Sequence, residues 1–129
     1  MVTDKTRYIV EKLRPVVGRE ERIPFAFLFG SYTEGRETPL SDIDLAIYFD
    51  EMTNDEKTDI EHHLWLLFDE PLNILRLEED DNSPLIRLRA LEGEPILIKN
   101  HDALNRFTLS IIHRAVEAKA VLKRLRKIS

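Results

Sequence analysis

At 129 residues, with 43% hydrophobic and 33% charged side chains, the chain has the size and composition of one globular domain, not of a disordered or membrane-embedded protein. A net charge of -5 argues against a general nucleic-acid binder, whose affinity comes from Lys and Arg neutralising phosphates, so no direct nucleic-acid binding is expected. The absence of cysteine excludes disulfides and thiolate metal sites, no apolar run approaches the ~20 residues of a spanning helix, and Met1 to Lys5 lack an apolar signal core, so the expectation is no membrane association and a cytoplasmic location.

Taken in chain order, Thr3 or Asp4 can cap a first helix with Ile9, Val10, Leu13, Val16 and Val17 at helical spacing, which Pro15 is expected to kink or end. Phe25 to Phe29 reads as a buried strand and Ile43 to Phe49 as a second; Gly35 and Pro39 keep the segment between them turn-rich, with at most a short helix. Thr53 and Glu56 form a capping-box signature ahead of Ile60, Leu64, Leu67 and Phe68, a helix that Pro71 stops. Leu72 to Leu77 is a third strand, Ser83-Pro84 opens a short helix ending near Gly93, and Pro95 to Lys99 is a fourth strand. From Asp102 the pattern is helical almost to the end, with Phe107, Ile111, Ala115, Leu122 and Leu125 expected to face inward. The alternation predicts an α/β fold, a sheet of about four strands covered by helices, in a single domain spanning 1–129.

The chemistry concentrates between the first two strands. Gly30-Ser31 follows the first strand, and ten residues later Asp42-Ile43-Asp44 opens the second. Side chains two apart on a strand share a face about 7 Å apart, so Asp42 and Asp44 project together while Ile43, Leu45, Ile47 and Phe49 face the core. Two converging carboxylates suit Mg²⁺, which takes hard oxygen ligands and leaves the rest of its octahedron to water and phosphates. Gly30 lets the backbone turn tightly, and the Ser31 hydroxyl with the N–H groups that follow can hydrogen-bond a phosphate. Such a constellation suits phosphoryl or nucleotidyl transfer, in which the protein mainly positions groups.

Phe29-Gly30-Ser31-Tyr32, Gly35-Arg36 and Ser41-Asp42-Ile43-Asp44-Leu45 resemble the signature of minimal nucleotidyltransferases of the DNA polymerase β superfamily, and within it the chain most resembles MntA-like antitoxins, over about residues 8 to 99. The resemblance implies a polymerase β-like mixed sheet, Gly30 and Ser31 on the nucleotide phosphates, Asp42 and Asp44 on metal ions, and ATP as nucleotide donor. It also implies a HEPN-type toxin as partner, with a tyrosine that receives AMP. In the superfamily a third Asp usually lies on the next long strand, and here Asn73 stands in that place. An amide cannot act as a base, although its carbonyl oxygen can touch a metal. Glu79 lies about 20 Å further along at ~3.3 Å per residue; Asp69 and Glu70 are nearer and would need the turn before Pro71 to fold back.

Arg36 is placed to contact a triphosphate or to be a solvated loop charge. His62, His63, His101 and His113 show no ligand spacing, and Trp65 reads as core. Lys119, Lys123, Arg124, Arg126 and Lys127 make the last helix basic, a solvated face complementing the helix dipole or a surface for a partner or RNA. Only about thirty residues follow the last strand, too few for an acceptor-holding domain, so a protein acceptor that brings its own surface is expected. A catalytically impaired binding module of the same fold is the rival reading.

Overall fold

The computed structural model describes residues 3–38, 41–81 and 83–128, the side chains of 127 and 128 excepted. The turn expected at Pro39 and the side chain of Lys127 lie outside the described residues. The element order is α1 (Asp4–Arg19), β1 (Phe25–Phe29), α2 (Ser31–Glu34), β2 (Ile43–Ile47), α3 (Asn54–Trp65), β3 (Leu72–Arg76), α4 (Pro84–Leu91), β4 (Glu94–Ile98) and α5 (His101–Ile128).

The strands form one four-stranded mixed sheet in the order β3-β2-β1-β4. β1 runs antiparallel to both β2 and β4, and β2 runs parallel to β3. Strand alternation divides the apolar residues between two faces. Ala26, Leu28, Ile43, Leu45, Ile47 and Leu72 pack with the stripe Ile9, Val10, Leu13 and Val17 of α1 and with Leu64 of α3. Phe25, Phe27, Ala46 and Leu77 face the other way, under Ala90 of α4 and Leu104 and Phe107 of α5. Asp44 and Asn73 share the parity of Ala46 and Leu75 and so belong to this second face.

Three expectations are corrected. Pro15 does not end α1, which continues to Arg19: one missing ladder bond is outweighed by an apolar stripe buried on both sides of it. Trp65 is 51% exposed rather than core. It occupies the last turn of α3, ahead of Pro71, while Leu67 and Phe68, beyond the helix, turn back to pack against the core. Leu122 and Leu125 are 57% and 58% exposed, whereas Ile111 and Ala115 are buried as expected. The 28 residues of α5 span roughly 42 Å at ~1.5 Å per residue, far more than the length of a five-residue strand, so the helix outruns the sheet. Among the described residues no helix is long and apolar enough to cross a membrane.

Candidate active site

Gly30 joins β1 to α2 with φ 77° and ψ -147°, a backbone region that favours glycine. A Cβ at this position would lie 2.2 Å from Asp44 Oδ2, so the bare backbone is also what admits the carboxylate. Register explains the approach: the last residue of β1, Phe29, pairs with Asp44 across the antiparallel ladder. Ser31 then starts α2, whose Thr33 and Glu34 N–H groups both donate to Gly30 O at 3.1 Å. The first N–H groups of a helix have no intrahelical acceptor, which leaves those at Ser31 and Tyr32 facing out of the turn.

On the other side, β3 lies parallel to β2 with Asn73 in register with Asp44. The Asn73 amide Nδ2 donates to Asp42 Oδ2 at 3.0 Å and to Asp44 Oδ1 at 3.2 Å. Asp42 and Asp44 therefore do converge, as their spacing predicts, and the atom at the point of convergence is the amide nitrogen of Asn73 and not its carbonyl oxygen. Burial pushes the Asp44 carboxyl above its ordinary range; the bond from Asn73 opposes this, and the charges of Asp42 and Glu34 add to it.

Arg36 is turned onto Glu34, with which it forms an ion pair. Glu34 also receives Arg89 of α4, at 2.7 Å from Nη2, and these two guanidiniums, Arg89 foremost, hold its carboxyl below the usual range. Phe29, Gly30, Thr33, Glu34, Arg89 and Gly93 bound a hollow of about 130 Å³ beside the glycine turn. Sequence reading placed Glu34 in the loop but missed Arg89, because 55 residues separate the pair and only the packing of α4 over β1 and β2 brings them together.

Two of the acids considered as substitutes for a third carboxylate are engaged elsewhere. Glu70 pairs with Lys5 at 3.0 Å and Glu79 with Arg76 at 3.1 Å; among the described residues no third His, Cys, Asp or Glu joins the two aspartates in a group able to hold a metal. The pair nonetheless fits Mg²⁺: two carboxylates bring hard oxygens together on one face, and each spends only one of its two oxygens on the Asn73 amide.

A parallel-and-antiparallel sheet with a glycine turn beside paired aspartates is the arrangement of a nucleotidyltransferase. The sequence matches the family described as "Polymerase beta, Nucleotidyltransferase" over residues 11–102, and the chain belongs to that family. No curated protein matches it. Among solved structures it is similar to a toxin–antitoxin crystal structure with AMP-PNP, at 19% identity and a TM-score of 0.70 over 91% of this chain and 98% of that one. It is also similar to the toxin–antitoxin MntA-HepT structure, at 16% identity and a TM-score of 0.65 over 93% and 98% of the two chains. A re-refined structure of the tri-AMPylated Shewanella oneidensis HEPN toxin in complex with MNT antitoxin matches at 16% identity and a TM-score of 0.65, again over 93% and 98%. At these identities the likeness is one of fold.

Proposed function

We propose that the chain is an MNT-type antitoxin that binds ATP with Mg²⁺ and transfers AMP to a tyrosine of a HEPN-type toxin in the cytoplasm. The observation that carries this reading is the convergence of Asp42 and Asp44 beside the Gly30 turn, in a fold whose solved likenesses include an antitoxin bound to an AMPylated toxin. Asp42 and Asp44 hold the Mg²⁺. Gly30 and Ser31 hold the phosphates through the Ser31 hydroxyl and the first N–H groups of α2. Arg36, exposed at the end of α2, exchanges Glu34 for an outer phosphate. When bound, the metal supplies charge neutralisation to the triphosphate. The tyrosine oxygen attacks the α-phosphorus, the bond to the bridging oxygen breaks, pyrophosphate leaves, and the phenolic proton passes to solvent, since Asn73 offers no base. The surface that receives the toxin is supplied by the exposed side of α5.

A second reading is favoured by Asn73 itself: a site whose third position is an amide transfers AMP slowly or not at all, and the antitoxin then neutralises its partner by complex formation alone. Incubation with α-labelled ATP, Mg²⁺ and a HEPN-type toxin encoded beside it separates the two. Label on the toxin is the expected result; a stable unlabelled complex favours the second reading, and neither label nor complex would overturn both.

A further inference from the structure

The amide of Asn73 stands between the oxygens of Asp42 and Asp44, at 3.0 and 3.2 Å from them. It is delivered there by the parallel pairing of β3 with β2, so it is a feature of the sheet and not of a loop. An amide N–H carries partial positive charge, and a donor at this distance from two carboxylates fills the volume in which a bridging cation would sit. Displacement at phosphorus by two ions places them about 3.5–4 Å apart, sharing ligands. A second divalent cation would have to share two carboxylates that both already accept from one N–H donor, and among the described residues no third acid joins the group. One cation, held by the oxygens that Asn73 leaves open and completed by phosphates and water, satisfies the ligand set that Mg²⁺ takes.

We propose that this site holds a single divalent cation that arrives with the nucleotide, and that Asn73 is the residue that fixes the number, its amide standing permanently in place of a second ion. The inference rests on the nucleotide-binding part of the function proposed above. It assigns Asn73 a positioning role: it braces the two carboxylates before nucleotide arrives and excludes a second ion afterwards.

The test counts metal on the full chain. Mn²⁺ is titrated into a solution of the chain with one equivalent of α,β-methylene ATP, with nucleotide binding followed by calorimetry and metal by electron paramagnetic resonance. The wild type is expected to bind one Mn²⁺ per chain with an uncoupled spectrum. Asn73→Asp is expected to bind two and to show the spin-coupled spectrum of a close pair, its fold verified by an unchanged circular dichroism spectrum. Two coupled ions in the wild type would overturn the proposal whether or not the variant folds, and so would a single ion in a folded Asn73→Asp. Failure of the wild type to bind the nucleotide at all is a different result, seen in the calorimetry, and would overturn the nucleotide site together with this inference.

Discussion

Gly30 and Asp44 require one another. The glycine's φ of 77° and the 2.2 Å separation between its missing Cβ and the Asp44 carboxylate mean that any side chain would both strain the turn and displace the acid. Gly30→Ala should therefore lose at least tenfold in Mg²⁺-dependent ATP affinity, and its positive-φ, extended-ψ backbone, a region kept almost entirely to glycine, adds roughly 1–3 kcal/mol of destabilisation, measurable by urea unfolding. Asp44 makes a separate expectation about pH. Because burial raises its carboxyl in the folded chain, the folded state holds that proton more tightly than the unfolded one. The ionised group then costs stability: nothing below about 3.9, a growing amount as pH rises from there to the raised folded value, and a constant amount above it. Asp44→Asn should raise the melting temperature of the metal-free protein by a few degrees at pH 7, with the gain vanishing near pH 3. The pairing of Asp42 with Asp44 was legible in sequence because strand parity fixes it. The orientation of Asn73 was not, since parity places a residue on a face but does not say which end of its amide meets the carboxylates.

At the scale of elements, local signals with a stereochemical mechanism held. Thr53 accepts from the Glu56 N–H at 3.2 Å while Glu56 Oε1 accepts from the Thr53 N–H at 3.0 Å, the box its sequence announces. Thr53→Ala should cost about 1 kcal/mol in urea unfolding without changing nucleotide affinity, because α3 lies on the sheet face opposite the aspartates. Signals that depend on what lies across the interface failed. Pro15 sits on an exposed position of α1 and is tolerated, and Trp65, apolar and at helical spacing, is left half in solvent because α3 ends there. The sheet order β3-β2-β1-β4 was likewise beyond sequence reading, and it is this order that sets β2 between the strands supplying Gly30 and Asn73.

Across the whole molecule, the body and the last turns of α5 behave as separate regions. The stripe Phe107, Ile111, Ala115 continues at helical spacing to Leu122 and Leu125, but the sheet has ended, so periodicity reports a face without telling whether anything covers it. Residues 119–126 are exposed throughout and include Lys119, Lys123, Arg124 and Arg126. Truncation after Ala118 should leave the melting temperature within a few degrees and ATP affinity unchanged, and should weaken the complex with the toxin at least tenfold in a pull-down or calorimetric titration. Equal loss of nucleotide and toxin binding by a folded truncation would instead make the tail part of the core.

In the function proposed above, Asp42 and Asp44, set beside the Gly30 turn, form a metal-dependent nucleotide site. Calorimetric titration of α,β-methylene ATP in the presence of Mg²⁺, on the wild type and on Asp42→Ala/Asp44→Ala, tests it most directly. Binding by the wild type that disappears on chelation and in the double variant, with the melting curve of the variant still cooperative, is the expected result. Unchanged affinity in the folded double variant would contradict it and place the nucleotide elsewhere.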